Sequence, residues 1–303
     1  MPCAERMHRA DPRTLPDSPF AVSEARALGI PAGRLRSSDL IAPFHGVRAP
    51  RSMPATTTRE RCALLLPRLS GAHLFCHLTA ADLWGLPLPP WAEREPLHVG
   101  ARVPAREPRL PGVVGHRLAG SHDDLTLRGG MPVTSAAVTW ASLSTALTVD
   151  ELIAAGDALL TAGACEKDDL LTSIRVGARG VTALREAAVE IRHGSESPRE
   201  TQTRLVLVRA GMPMPQLNWQ LRDARGRFVA RLDLAYPRYR TCVEYDGRHH
   251  ATDTQFARDA DRWAAIADQG WTMVRVLSHH FDDPHRRIVG PVRRALRSAG
   301  WPG

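Results

Sequence analysis

The last third of the sequence narrows the choice of fold more than any other part, because helical and strand-like patterns alternate there in a definite order. A helix is expected from Pro198 to Gly211, since Ser197 and Pro198 suit its N-cap and first turn. The elements expected after it are strands over 216–222, 228–235 and 241–246, a helix over 253–269, a strand over 271–277 and a helix over 286–298. The order α-β-β-β-α-β-α predicts an α/β domain.

Acidic residues fall within the second and third of these strands. Glu244 and Asp246 are two residues apart, so their side chains share one face of the third strand. Asp233 lies on the neighbouring antiparallel strand, across a short turn. Like charges placed together repel, and a divalent ion with oxygen ligands would compensate them. The pattern therefore indicates a metal site, and the alternative is a set of solvated acids on a strand.

The segment after the third strand adds basic side chains beside these acids. Gly247 allows a sharp turn, after which His249 or His250 can reach the acids as a general base, acid or ligand. Arg248 can hold a phosphate oxygen. The alternative for His250 is a helix-capping or surface position.

Several spaced motifs in this region carry a resemblance to a known family. They read Asp233, then Val243-Glu244-Tyr245-Asp246-Gly247-Arg248-His249-His250, Asp259-Ala260-Asp261-Arg262, Gly270-Trp271 and Arg275-Val276. This set resembles the very-short-patch-repair-type (Vsr-like) endonuclease-like domains of the PD-(D/E)XK superfamily. The resemblance implies a restriction-endonuclease-like core with nuclease activity. Asp259 and Arg262 are also three apart on a helix, which by itself favours a surface ion pair.

The resemblance also implies roles for individual residues. Asp233, Glu244 and Glu200, the acid on the first helix, would hold Mg²⁺ or Mn²⁺. His250 takes the family's histidine position, and it joins those acids and Asp246 as candidate catalytic residues. This sequence departs from the superfamily at Asp246, which stands at the lysine position, and that branch of the superfamily shares the change. For Glu200 the alternative is a favourable charge in the first turn of a helix.

The beginning of the chain predicts a small winged-helix-like region. A short helix is expected over 21–28, a second over 31–40 and a strand over 41–48. Arg34 and Arg36 lie in the second of these helices, where they are candidates for contact with DNA phosphates. The alternative for both is a solvated helix face.

The N-terminal half also resembles a second family. Its segments Phe44-His45-Gly46-Val47, Met131-Pro132-Val133-Thr134-Ser135 and Asp150 to Leu160 are similar to AbiEi-type antitoxin-like proteins. Such proteins have a winged-helix region followed by a mixed α/β domain, and they act as DNA-binding regulators. With a boundary expected near Gly194, the predicted domains are a winged-helix-like region over 1–55, a mixed α/β domain over 56–193 and an endonuclease-like domain over 194–303.

The charge of the chain suits a polyanionic partner. The formal net charge is +8 and the sequence pI is about 10. Nearly all of the positive charge is arginine, which a GC-rich genome would also produce, so charge alone leaves DNA binding open. Lys167 is the only lysine, and a catalytic lysine within residues 194–303 is therefore excluded.

Other classes of protein lose support because their motifs are missing. The sequence contains no G-x-x-x-x-G-K-[ST], no G-x-G-x-x-G after a strand and no G-x-S-x-G, which argues against ATP hydrolysis, dinucleotide binding and serine hydrolysis. The five cysteines are scattered, so neither a disulfide framework nor a cysteine zinc site is expected. The sequence has neither a bilayer-length apolar run nor a secretory h-region, which predicts a cytoplasmic protein with no membrane partner.

Three functional hypotheses follow. The first is a metal-dependent DNA endonuclease, a phosphodiester hydrolase with an N-terminal DNA-binding region. The second is a non-catalytic DNA-binding regulator or antitoxin-like protein with a degenerate nuclease fold. The third is a protein-interaction module. The sequence leaves open whether the chain forms a homodimer and whether it binds a toxin or another protein.

Overall fold

The chain is organised as two compact units that divide between Leu143 and Ser144. The computed structural model describes residues 15–118, 124–247 and 253–303, with the backbone alone over 253–259. Both units mix helices with sheets, so the predicted α/β class is confirmed. Within the described ranges, none of the helices combines the length and the apolar character that a bilayer crossing requires.

The first unit begins with a small three-stranded sheet and one helix. Its elements are β1 (Phe20–Ala21), α1 (Val22–Ala27), β2 (Leu40–Ile41) and β3 (Val47–Pro50), and the strand order is β1-β3-β2. All pairings in this sheet are antiparallel. The first predicted helix is therefore present, whereas the strand expected over 41–48 is wrong in its bounds, because residues 42–46 connect two short antiparallel strands, β2 and β3.

The second helix of the predicted winged region is a single 3-10 turn, Arg34–Arg36, so the expectation of a helix over 31–40 is wrong. Gly33 precedes the turn and is a poor helix former. The Ser37 hydroxyl donates to the carbonyl of Arg34 at 2.6 Å, which competes with further helical hydrogen bonds. Arg34 also binds Asp39 through two hydrogen bonds of 2.8 and 2.9 Å, which closes the segment.

The rest of the first unit is a mixed five-stranded sheet with helices. Its elements are α2 (Thr58–Leu65), β4 (His73–Phe75), α3 (His77–Trp84), β5 (Leu97–Arg102), β6 (Val113–Leu118), β7 (Leu125–Arg128), β8 (Met131–Thr134) and α4 (Ala136–Ser142). The strand order is β6-β5-β4-β8-β7. Its core includes Phe75, Leu97, Val99 and Val133, all essentially inaccessible to solvent.

Three histidines from three elements of this unit stack on one another. The ring centroids of His77 and His98 are 4.7 Å apart, and that of His116 lies 5.0 Å from His98. Nδ1 of His98 and Nε2 of His116 share a hydrogen bond of 2.8 Å. Burial lowers the pKa of His77 and of His98 to about 4, and lowers that of His116 as well. The stack is therefore neutral at physiological pH.

The second unit begins with four helices, α5 (Val149–Thr161), α6 (Lys167–Ser173), α7 (Val181–Glu190) and α8 (Pro198–Arg209). A buried ion pair joins α5 to α8, since Asp157 Oδ2 lies 2.7 Å from Arg204 Nη2 and each side chain is 1% exposed. Arg204 also donates to the carbonyl of Glu190, the last residue of α7, at 2.9 Å. The compact units therefore divide after Leu143 rather than near Gly194, because α5 and α7 are bound to α8.

A four-stranded sheet with two further helices completes the second unit. Its elements are β9 (Gln216–Arg222), β10 (Phe228–Tyr236), β11 (Thr241–Asp246), α9 (Asp253–Asp268), β12 (Thr272–Leu277) and α10 (Gly290–Ser298). The strand order is β12-β11-β10-β9, and β11 pairs with β12 in parallel while the other pairs are antiparallel. The predicted order α-β-β-β-α-β-α is confirmed.

Helices cover both faces of this sheet. Helices α8 and α10 contribute Leu207 and Leu296 to a core that contains Val243 of β11. Helix α9 contributes Ile266 to a second core, which contains Cys242 of the same strand. Neighbouring strand residues face opposite sides, so Glu244 lies on the face of Cys242, towards α9.

Candidate active site

The candidate site forms where strands β10 and β11 stop pairing through their backbones. Their ladder extends from the hairpin turn as far as the pair of Leu234 with Val243. Beyond that pair, the backbone N–H of Asp233 donates to Glu244 Oε1 at 3.1 Å, and that of Tyr245 donates to Asp233 Oδ2 at 3.0 Å. Carboxylates thus take the place of backbone acceptors. The two side chains lie together, as the strand pattern predicts.

The two carboxyl groups are held where full ionisation is costly. Glu244 is 5% exposed. Burial and then the adjacent Asp233 charge raise the pKa of Glu244 to about 7. Burial also raises the pKa of Asp233. The pair favours a proton or a cation near neutral pH.

Arg262 of α9 supplies one such cation. Its Nη2 lies 2.7 Å from Glu244 Oε2 and donates to the carbonyl of Arg231 at 2.7 Å. The surface ion pair expected between Arg262 and Asp259 stays a prediction, because the Asp259 side chain lies outside the described residues. Sequence reasoning missed the contact with Glu244. The available signal was the spacing from Ile266, because residues four apart share a helix face and Ile266 is a core residue.

Glu200 caps its own helix, and the charge of Asp233 also acts on it. Its Oε2 accepts from the backbone N–H of Glu196 and its Oε1 from the Ser197 hydroxyl, both at 2.8 Å. The Ser197 hydroxyl in turn accepts from the backbone N–H of Glu200 at 3.2 Å. Burial raises the pKa of Glu200, and the charge of Asp233 adds to this effect. The alternative role at the helix start is therefore present, and the described residues do not bring Glu200 together with Asp233 and Glu244 as three ligands of one ion.

Asp246 is engaged with the neighbouring strand. Its carboxylate binds the Arg275 guanidinium of β12. The guanidinium carbon of Arg275 lies 3.9 Å from the ring centroid of Trp263 on α9. The strand pattern predicts Asp246 beside Asp233 and Glu244, whereas the structure joins its carboxylate to Arg275. The parallel β11–β12 register, which places Arg275 opposite Glu244, makes that ion pair accessible.

The remaining candidate residues divide between the two units. Arg248, His249 and His250 lie outside the described residues, so the predictions for them stay predictions. In the first unit, Arg34 is bound to Asp39, whereas Arg36 is exposed.

The described residues supply only part of the ligand set that a divalent ion requires. Over residues 15–118, 124–247 and 260–303, no three His, Cys, Asp or Glu side chains are arranged to hold one metal ion. Asp233 and Glu244 offer two adjoining carboxylates. Mg²⁺ is commonly held by one or two carboxylates together with water and phosphate oxygens. The described pair fits that kind of partial protein site.

Comparisons with known proteins give a limited result. No protein-family model matches the chain, and no solved structure matches it. Two curated proteins of Mycobacterium tuberculosis strains, the uncharacterized proteins MT2308 and Rv2248, are each 28% identical to it over 276 residues. The match covers 89% of this chain and 97% of each relative. The similarity therefore extends across both compact units.

Proposed function

We propose that the C-terminal unit is a metal-dependent endonuclease that hydrolyses phosphodiester bonds of DNA. The observation that carries this proposal is the pair formed by the buried Glu244 and the half-buried Asp233, whose carboxylates adjoin at the open end of the β10–β11 ladder. Two like charges held together away from bulk water are unfavourable for stability alone, so their presence favours a functional use. The resemblance to the Vsr-like branch of the PD-(D/E)XK superfamily supports the same activity.

The proposed site would use its residues in separate ways. Asp233 and Glu244 would hold Mg²⁺ or Mn²⁺, and Glu200, on which the charge of Asp233 acts, would contribute as a further acid. A bound divalent ion polarises a phosphodiester and lowers the pKa of an attacking water. The backbone N–H groups of Asp233 and Tyr245 hold the two carboxylates in place before any ion arrives, which limits the reorganisation that binding requires.

The choice of DNA as substrate rests on charge and on the resemblances. A net charge of +8 favours contact with a polyanion through release of condensed counterions. The helix and hairpin at the start of the first unit keep part of the predicted winged region, and Arg36 is exposed there. Both resemblances, to Vsr-like domains and to AbiEi-type proteins, imply DNA as a partner.

A second candidate is a DNA-binding regulator that does not cut. The observation that favours it is an arginine at two of the acids, since Arg262 binds Glu244 and Arg275 binds Asp246. Carboxylates neutralised by guanidinium groups are satisfied without a metal ion. This candidate predicts DNA binding that does not depend on magnesium or manganese.

Calorimetric titration of Mn²⁺ into the full chain and into Asp233→Asn tests the proposed metal site. The matched control is Asp223→Asn, which changes an aspartate in the β9–β10 turn whose partners are Arg225 and Arg227. We expect wild type and the control to bind Mn²⁺ and Asp233→Asn to lose binding.

Incubation of the same proteins with supercoiled and single-stranded DNA then tests cleavage. Metal-dependent cleavage that Asp233→Asn loses would support the endonuclease. Metal-independent DNA binding without cleavage by wild type would favour the regulator, and no salt-dependent DNA binding would favour a protein-interaction module.

A further inference from the structure

Arg262 contacts the carboxylate pair directly, through Glu244. Its Nη2 donates to Glu244 Oε2 and to the backbone carbonyl of Arg231, each at 2.7 Å. The Glu244 side chain is 7% exposed and that of Arg262 is 34% exposed. The guanidinium therefore lies at the boundary between the buried Glu244 carboxylate and solvent.

The neighbouring cations among the described residues have other partners. Arg231 pairs with Glu196 at the start of α8. Arg275 pairs with Asp246 and stacks on Trp263. The position of Arg262 on Glu244 is thus a specific contact rather than one of many arginines around an acidic patch.

A guanidinium offers more donors than these contacts use. Within the described residues, both hydrogen bonds of Arg262 start from Nη2, whereas an arginine side chain carries five N–H donors in a planar fork. That fork matches a phosphate as well as it matches a carboxylate. A divalent ion on Glu244 would compete with Arg262 for the same carboxylate charge.

We propose that Arg262 is a phosphate-binding residue of this site, which holds Glu244 in the absence of an ion and passes to a phosphate oxygen of DNA when a divalent ion occupies Asp233 and Glu244. The exchange keeps the Arg262 guanidinium beside an anion at each stage. Without an ion, the guanidinium offsets one carboxylate; with an ion, the carboxylates face a dication and the guanidinium faces the phosphate. This inference rests on the proposed function, because it assumes that DNA and a divalent ion share the site.

Two binding measurements test the exchange without requiring cleavage. The variants are Arg262→Gln, Arg262→Lys and the control Arg227→Gln, which changes a 72% exposed arginine paired with Asp223. Mn²⁺ affinity without DNA is measured by calorimetry at several pH values, because loss of the Arg262 charge raises the pKa of Glu244 further and protons then compete more strongly with the ion. Affinity for a short DNA duplex is measured with and without Ca²⁺.

For Arg262→Gln we expect Mn²⁺ binding at least as tight as in wild type, since a competing cation is removed. We expect its Ca²⁺-dependent affinity for the duplex to fall about tenfold or more, because one charge-assisted hydrogen bond to a phosphate is lost. Arg262→Lys should restore part of the DNA affinity, and Arg227→Gln should match wild type in Mn²⁺ affinity.

A purely structural role for Arg262 would weaken both kinds of binding together, and equal melting temperatures of the variants exclude loss of the fold. The inference is overturned by Arg262→Gln that keeps full Ca²⁺-dependent DNA affinity, or that binds Mn²⁺ more weakly. Wild type that binds Mn²⁺ and DNA but never cuts would contradict the proposed endonuclease while leaving the role of Arg262 intact. Wild type that binds no Mn²⁺ would overturn both.

Discussion

The backbone N–H of Asp233 donates to Oε1 of Glu244 across 3.1 Å, at the point where strands β10 and β11 stop pairing. The carboxylate of Asp233 accepts in turn from the backbone N–H of Tyr245. Each acid therefore ends the ladder as well as contributing charge to the site. Substitutions at either residue affect stability and binding in different directions, which makes the two roles separable.

Asp233→Asn should stabilise the metal-free protein by about 1 kcal/mol, because it removes a half-buried charge that adjoins the buried Glu244 carboxylate. The asparagine carbonyl can still accept from the N–H of Tyr245. Urea unfolding in the presence of a chelator, near pH 7.5, measures the change. Asp223→Asn serves as the control, and a destabilised Asp233→Asn would mean that the charge of Asp233 is needed for the fold.

Asp246→Asn should leave Mn²⁺ affinity nearly unchanged, within about threefold, because the carboxylate of Asp246 binds Arg275. Calorimetric titration beside Asp233→Asn gives the comparison. Loss of Mn²⁺ binding in Asp246→Asn, as large as that in Asp233→Asn, would place Asp246 among the metal ligands and contradict this expectation.

Glu200→Gln should distinguish the two roles of Glu200, which are its hydrogen bonds at the start of α8 and its negative charge, because the substitution removes the charge and keeps a carbonyl acceptor. The glutamine carbonyl can still accept one of the two hydrogen bonds that Glu200 receives from Glu196 and Ser197, so the loss of stability should be below about 1 kcal/mol. Ser197→Ala, which removes the N-cap hydroxyl, should cost about 1 kcal/mol without changing Mn²⁺ affinity. Weaker Mn²⁺ binding by Glu200→Gln alone would support its role as a metal ligand, whereas equal binding by both variants would limit Glu200 to the cap.

Arg204→Met should destabilise the second unit by about 3–5 kcal/mol, because it leaves the buried Asp157 carboxylate without its ion-pair partner. The double variant Asp157→Leu with Arg204→Met should recover much of that loss. Thermal or urea unfolding of the single and double variants measures the coupling. Equal stability of Arg204→Met and wild type would show that α5 and α8 are held together mainly by other contacts.

Acid should weaken the first unit through the histidine stack. The pKa of His98 is about 4 in the folded chain and about 6.5 in an unfolded chain, so the unfolded chain binds more protons between those values. The part of the unfolding free energy that depends on neutral His98 is fully present above about pH 6.5 and decreases as the pH falls towards 4. At pH 5 the loss from His98 is on the order of 2 kcal/mol.

Urea unfolding near pH 7.5 and near pH 5 measures the effect in wild type, in His98→Asn and in His45→Asn. His45 is exposed, so its variant should keep the full pH dependence of wild type. His98→Asn should show a smaller loss between the two pH values. The same slope in all three proteins would assign the acid sensitivity to other groups.

The order of helices and strands in the last third was readable from the sequence because each element carries a local signal. Ser197 and Pro198 mark the start of α8, and its end precedes Gly211. The alternation of side chains along a strand also placed Glu244 on the face of Cys242 and brought it close to Asp233, since a short hairpin turn fixes the register of its strands.

Tertiary structure decided which partner each charged group has. Residue spacing places Arg262 on the same face of α9 as the core residue Ile266, but it does not identify Glu244 as its partner or Arg275 as the partner of Asp246. These contacts depend on how separate elements pack and on the parallel register of β11 and β12. The pair of Asp157 and Arg204 likewise joins residues far apart in the chain and moves the division between units to Leu143. Local patterns determined the helices and strands of the last third and the approach of Asp233 to Glu244, whereas long-range packing determined which charged side chains surround these two acids.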